Sequence, residues 1–210
     1  MGSIDLAVFR WVNRWPDAWS PLLVGLSEGN KWLGVRVFLL ALFAVCLAWR
    51  PARRAALTAV VAWPLANGIT EALKWGFQAP RPSAPVAALV DQGVTIAEAL
   101  NRHPEVILRV APLGSYGTAS AHSANMMAVA VCFFVGYRPL GWAWVAVAIL
   151  TGVSRVYVGV HYPYQVLLGW LCGLLAAFVV IRTLGAWSDI RQRRAAPQEA
   201  EAASPDSGTV

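Results

Sequence analysis

Charge is scarce in this chain. Only 13% of its 210 residues are charged against 58% hydrophobic, and lysine occurs twice, at Lys31 and Lys74. Soluble domains carry nearer ~25% charged residues, so the composition excludes a disordered chain and argues against a water-exposed globule. Acidic groups are scarcer still: from residue 72 to residue 188 the only carboxylates are Asp91, Glu98 and Glu105. A two-metal centre needs several Asp, Glu or His ligands, and this stretch does not offer them. Cysteine is limited to Cys46, Cys132 and Cys172, each inside an apolar run and without ligand spacing. Buried free thiols are the reading, rather than a disulfide framework or a zinc site. The start, MGSIDLAVFRWVNRWPDAW, lacks the charged start, apolar stretch and small-residue cleavage site of a signal peptide. Leu6 stands where a myristoylation signal needs Ser or Thr.

What is present points to a bilayer. The net charge of +6 comes almost entirely from arginine. These arginines punctuate apolar runs instead of covering one solvated face, which speaks against a nucleic-acid partner. Five apolar runs, near residues 31–49, 54–77, 119–137, 140–158 and 163–184, are long enough for a hydrocarbon core about 30 Å thick. Trp32 and Trp49 bracket the first, Trp75 closes the second, Trp142 and Trp144 open the fourth, and Trp187 follows the fifth. That is the interfacial placement of indole. Ahead of them, Ile4, Leu6, Phe9, Trp11 and Val12 interleave with Asp5, Arg10, Asn13 and Arg14. This predicts an interfacial helix, then a short apolar segment around Leu22–Leu26 that would make a sixth, broken span. The expected fold is an all-α membrane bundle of five to six spans over residues 1–187, followed by a disordered tail, 188–210, with almost no large apolar residue.

Residues 78–118 form the one long loop, punctuated by Pro80, Pro82, Pro85 and Pro112, with an amphipathic helix expected around Val94–Leu108. The turns carrying Arg50, Arg53 and Arg54, then Arg138, and the end carrying Arg182, Arg191, Arg193 and Arg194 fall on one side. The positive-inside rule makes that side, and the tail, cytoplasmic. The long loop then faces outward, although Arg10, Arg14 and Lys31 pull against that assignment.

Three polar clusters break the apolar pattern on the outward side. Lys74 and Arg81-Pro82 close the second run, Ser120 and His122 open the third, and Ser154, Arg155 and His161 end the fourth. Ionisable groups near a membrane core are costly and mark function. Three cations suit phosphate oxygens, arginine through its planar fork and lysine as a compact charge. Ser120 lies where a helix should begin, so neighbouring backbone N–H groups would face an anion. Two histidines add a nucleophile or proton donor near neutral pH. The chemistry indicated is phosphoryl transfer to water without a metal.

Lys74 followed after six residues by Arg81-Pro82, Ala119-Ser120-Ala121-His122, and Ser154-Arg155 followed after five residues by His161 are similar in spacing to a known signature. The chain resembles the type-2 phosphatidic acid phosphatases, or lipid phosphate phosphatases, over residues 65–175. Their pattern runs Lys, six residues, Arg-Pro; then Pro-Ser-Gly-His; then Ser-Arg, five residues, His, three residues, Asp. The resemblance implies that Lys74, Arg81, Arg155, Ser120 and the backbone near Ala121 clamp phosphate. It implies that His161 attacks phosphorus to give a phosphohistidine, and that His122 protonates the leaving lipid oxygen and then activates water. It implies a bundle of about six spans, no cofactor, and a phosphorylated lipid as partner: phosphatidic acid, phosphatidylglycerol phosphate or undecaprenyl diphosphate. The arginine distribution and the compactness of the chain add the expected place, the outer face of a bacterial inner membrane.

This sequence departs from the pattern at Gln165, where the family has Asp. An amide oxygen can accept the hydrogen bond from His161 but brings no negative charge. Glu71 either compensates or simply pairs with Lys74 at i,i+3. Asn125, one turn after His122, either orients that ring or bonds a neighbouring helix. Gln165 therefore keeps open a second reading, a protein of the same fold that binds or transports a phosphorylated lipid and turns it over poorly. His103 reads as a solvated loop residue. Tyr116, Tyr157, Tyr162 and Tyr164 read either as the lipid entrance or as interfacial anchors.

Overall fold

The structure, a computed structural model, describes residues 2–202, with side-chain surroundings for residues 2–185. Its regular elements are all helices: α1 (Ser3–Asn13), α2 (Ser20–Glu28), α3 (Leu33–Ala48), α4 (Arg50–Phe77), α5 (Ala84–Asp91), α6 (Ile96–Arg102), α7 (Ala121–Gly136), α8 (Arg138–Tyr157) and α9 (Pro163–Ala202), with 3-10 turns at Asp17–Trp19 and Gly29–Lys31. Each of the five apolar runs is helical, and the whole is a membrane helical bundle. By length and composition three helices, α4, α8 and the Pro163–Gly185 part of α9, are able to cross a bilayer. The segments Asp17–Lys31 and Leu33–Ala48 pass the same test only as a pair bent by 78°. The 16 residues of α7 reach about 24 Å, short of a ~30 Å core, because the Ser120 cap and the extended Tyr137 bound it.

Small residues set the packing. Ala52, Ala55, Ala56, Ala59, Ala62 and Ala66 of α4 recur at helical spacing, each 1% exposed or less. That stripe meets α7 and α9, where Ala124, Ala128, Ala176 and Ala177 join it in the principal core. Without water to drive helices together, association depends on close van der Waals contact, which alanine allows. Bulky side chains of α4, such as Leu57, Val60 and Trp63, point outward. Pro64 sits inside α4 without ending it.

A second core joins α1 and α2 to the end of α8 and to the long loop. α1 keeps one face outward, with Ile4 79% and Trp11 66% exposed, while Phe9 and Val12 pack inward. Asn13, expected on the polar outer face, is buried. Its amide donates to the carbonyls of Ile107 (2.8 Å) and Tyr157 (2.9 Å) and accepts from Ile107 N–H (2.8 Å). An amide so satisfied ties the loop to the bundle at little burial cost. The loop holds two short helices instead of one. Thr95 caps α6 through its side chain, and α6 stops at Arg102, two residues before Pro104. At the other end, the α9 backbone is helical through residue 188, where a tail was expected to begin; residues 203–210 of that tail lie outside the described residues.

Candidate active site

The end of α4 delivers the first cations. Lys74 lies in the last turn and pairs with Glu71 at 2.5 Å, so Glu71 takes its simpler role. The helix closes on Gln78 in the left-handed region (φ 49°), and Arg81 follows in the loop, 6% exposed. Arg81 Nε donates to the Ser115 carbonyl (2.8 Å), and Nη1 to that of Val160 (3.3 Å). The loop can come this close only with glycine at 117, where a Cβ would lie 2.5 Å from Arg81 Cγ and 2.9 Å from Gln165 Oε1.

The corner between α8 and α9 positions His161. Gly159 adopts φ +83°, which lets the chain reverse, and the N–H groups of Val160 and His161 both return to the Arg155 carbonyl at 3.2 Å. His161 is 2% exposed, and both ring nitrogens are held. Nδ1 meets Gln165 Oε1 at 3.0 Å, and Nε2 meets Arg81 Nη1 at 2.6 Å. The Gln165 amide has only one sensible orientation. Tyr162 N–H needs an acceptor and finds Oε1 (3.2 Å), while the Pro80 carbonyl needs a donor and finds Nε2 (2.8 Å), which also reaches the Tyr164 hydroxyl (3.0 Å). Oε1 therefore accepts, Nδ1 carries the ring hydrogen, and the Nε2 lone pair faces Arg81. Burial, then the charges of Arg81 and Arg155, hold this imidazole well below its ordinary range, so it is neutral at physiological pH. Burial and the Arg155 charge also bring Arg81 down, to about 10, and it stays charged.

The start of α7 is different. Ser120 is the N-cap; its Oγ accepts from Ser123 N–H (3.4 Å) and Ser123 Oγ (3.0 Å), and its own N–H donates to the Gln165 carbonyl (2.9 Å). The Ser120 hydroxyl hydrogen stays available, as do the first-turn N–H groups of Ala121 and His122, which have no intrahelical acceptor. His122 Nε2 is buried without a hydrogen-bond partner, and so is Asn125 Oδ1. Asn125 thus neither orients His122 nor bonds another helix through that oxygen. Lys74 and Arg155 lie within electrostatic reach of both histidines.

Arg155 brings in residues that sequence spacing missed. Its Nη1 donates to Ser27 Oγ (2.5 Å), the Ser27 carbonyl (3.2 Å) and Glu28 Oε1 (3.2 Å), all at the end of α2. Glu28 also pairs with Lys31. A site with hardly a carboxylate was expected, and Glu28 corrects that. The signal in the sequence was an acid with a lysine three residues on, set between two apolar runs. While Nη1 is anchored, Nε is buried without a partner. A buried donor left this way costs about 1–3 kcal/mol, and it lies on the side-on edge with which guanidinium grips a phosphate.

Other expected positions fall elsewhere. Tyr157 is fully buried, bonded through its hydroxyl to Ser20 (2.8 Å) with Arg109 stacked 4.0 Å over its ring, so it does not line an entrance. Tyr162 and Tyr164 do border an open cleft of about 610 Å³, with Gly2, Asp5 and Pro80. His103 meets Glu105 (3.1 Å) in the exposed loop. Among the described residues no three His, Cys, Asp or Glu side chains gather as metal ligands. The site can therefore seat a tetrahedral anion among Arg81, Arg155, Lys74 and the α7 N-terminus, with a neutral imidazole lone pair beside it.

A helical membrane bundle with cations and two histidines at one end is a recognisable class, and the comparisons place it. The chain belongs to the PAP2 superfamily, which it matches over residues 55–189. It is 27% identical over 165 residues to an undecaprenyl-diphosphatase of Sulfolobus acidocaldarius, covering 77% of this chain and 68% of that one. It is 36% identical over 73 residues to the bacitracin transport permease protein BcrC of Bacillus licheniformis, and 33% identical over 63 residues to the undecaprenyl-diphosphatase BcrC of Bacillus subtilis. Those matches cover 35% and 30% of this chain but span only 36% and 33% of the two Bacillus proteins. In fold the chain is similar to the crystal structure of LpxE from Aquifex aeolicus, with TM-score 0.65 and 21% identity over 86% of this chain and 96% of the other. It is also similar to a transmembrane PAP2-type phosphatidylglycerolphosphate phosphatase from Bacillus subtilis, with TM-score 0.60 and 20% identity over 88% and 86%.

Proposed function

We propose that this chain is an integral membrane lipid phosphatase that hydrolyses a polyprenyl diphosphate of the undecaprenyl type, without metal, through a phosphohistidine. The observation that carries the reading is the double tether of His161, which fixes the hydrogen on Nδ1 and turns the Nε2 lone pair to Arg81. A terminal phosphate entering between them takes over the Arg81 N–H, frees the lone pair and lies in line for attack. Arg155, Lys74, Ser120 and the N–H groups at Ala121 and His122 hold its oxygens as charge builds in the transition state. The phosphorus–oxygen bond to the lipid breaks as the Nε2–phosphorus bond forms, and His122 gives the leaving oxygen its proton. His122 then takes a proton from water, which attacks the phosphohistidine and releases inorganic phosphate. The positive-inside distribution supports a site on the outer face of the membrane. The undecaprenyl-diphosphatase relatives support the diphosphate.

The test is phosphate release in detergent from undecaprenyl diphosphate, phosphatidylglycerol phosphate and phosphatidic acid, with and without excess EDTA. Release from the diphosphate, unchanged by EDTA, is expected. Loss on chelation that Mg²⁺ restores would overturn the metal-free mechanism. Gln165, with no charge to stabilise an imidazolium, favours a second reading as a lipid-phosphate binder. Tight binding of all three lipids with release from none would establish it.

A further inference from the structure

At the end of the bundle remote from the histidines, α4, α7 and α9 part to leave a cleft of about 450 Å³. Its rim carries Arg50 and Arg54, and its walls include Leu57, Val135, Ile181 and Leu184. We infer that this cleft binds one anionic phospholipid, its phosphate between Arg50 and Arg54 and an acyl chain along those walls.

The two arginines lie four residues apart on α4, so they share one face, and like charges at that spacing repel. Both are exposed, and among the described residues neither pairs with a carboxylate. Their neighbour behaves otherwise. Arg53 folds back onto the α3 C-terminus, donating to the carbonyls of Leu47 (2.8 Å) and Ala48 (3.1 Å). Arg50 and Arg54 are thus the pair left for an outside anion. Below them the surface changes character: Leu57, Val135 and Leu184 are 51%, 62% and 38% exposed. A free phosphate ion would match the rim and leave those walls bare. A phospholipid matches both, with its headgroup at the depth where α4 begins and its chain along the helices. The face is the one the positive-inside rule gives to the cytoplasm, where anionic lipids attract basic residues.

Native mass spectrometry of the full chain in detergent tests this, with dioleoyl phosphatidylglycerol and dioleoyl phosphatidylcholine as probes. Arg81→Gln serves as the control for lipid held at the histidine end. One phosphatidylglycerol adduct should persist in Arg81→Gln and weaken roughly thirtyfold in Arg50→Gln/Arg54→Gln, each arginine near an anionic lipid being worth about fivefold. Phosphatidylcholine should show no such dependence. Arg53→Gln removes the same charge from the same turn and should leave the adduct within about twofold of wild type. Among the described residues neither rim arginine makes a side-chain hydrogen bond or ion pair, so the double variant should keep wild-type helicity and elution. Equal weakening by Arg53→Gln would replace the built site with diffuse attraction. Full retention of every adduct in the double variant would overturn the proposal outright.

Discussion

His161 and His122 stand at the same end of the bundle and are built in opposite ways. His161 sits in a corner where both ring nitrogens, the backbone and the orienting amide are all bonded. His122 stands in the first turn of α7 with Nε2 buried and unpartnered. The first arrangement suits a group that must keep one tautomer before substrate arrives. The second suits a group whose partner is the substrate itself, since a buried ring nitrogen left open costs free energy until something fills its place. On the proposed mechanism, preorganisation belongs to the nucleophile and an unpaired ring nitrogen to the proton donor.

Removing the tethered member should have the largest effect. His161→Ala should lower phosphate release on the order of 10⁴-fold or more, as loss of a covalent nucleophile does, while lipid binding through Arg81, Arg155 and Lys74 survives. Full release by that variant would end the covalent mechanism.

His122 gives a sharper test because its contribution depends on the leaving group. General acid catalysis contributes about 10²–10⁴-fold when an alkoxide must leave. A lipid monophosphate leaving from a diphosphate is already a weak base and needs the proton far less. His122→Ala should therefore damage phosphatidic acid hydrolysis near that full range and undecaprenyl diphosphate hydrolysis much less. Equal damage to both would remove His122 from the acid role.

The same contrast explains what could be seen without coordinates. Composition gave the membrane bundle, and Lys74, Arg81, Ser120, His122, Arg155 and His161 were legible because fixed intervals on successive helices bring them to one end. Position Gln165 was legible as the orienting residue, and it does meet His161. Contacts between distant segments were not. Ser27 and Glu28 reach Arg155 across 128 and 127 residues, and nothing in a spacing pattern encodes such a meeting. Asn13 misled for a related reason: amphipathic periodicity assigned its polar side to solvent, whereas its amide finds three backbone partners inside. At α7 hydropathy marks an apolar run of nineteen residues, and the helix covers sixteen of them because it begins only after the Ser120 cap.

Gln165 sets how tightly the corner is held, and its surroundings are adapted to an amide. Asp at this position is one methylene shorter and has no N–H for the Pro80 carbonyl or the Tyr164 hydroxyl. Gln165→Asp should lower kcat about tenfold, consistent with ~1–3 kcal/mol for a buried group left unpaired. A rise in kcat would show that missing charge, not position, limits turnover.

Proton uptake distinguishes the buried ring by a smaller effect. Unfolded, an imidazole accepts a proton near pH ~6.5. Folded, His161 declines it until the pH is well lower. The stability that follows is present above pH ~6.5 and lost as the pH falls below it, because the unfolded chain then binds the extra proton. The wild type in detergent should lose more thermal stability between about pH 7.5 and about 5.5 than His161→Asn does. Equal losses would mean that the folded ring takes up the proton after all.

The smallest effect should come from the α2 anchor, which steadies Arg155 without touching the reacting atoms. Glu28→Gln keeps an oxygen for Arg155 Nη1 and removes the charge, while Ser27 still supplies two acceptors. An anchor that only aims the free edge of Arg155 should show in phosphate affinity, raising KM about two- to fivefold with kcat nearly unchanged, the pattern of lost uniform binding. Glu28→Ala should raise KM further, since the oxygen goes as well. If Glu28→Gln instead lowers KM, the carboxylate is repelling the incoming phosphate more than it is steadying Arg155. A fall in kcat at constant KM would place Glu28 beside His122 in the proton transfer, and the contrast between a tethered and an open histidine would lose its second half.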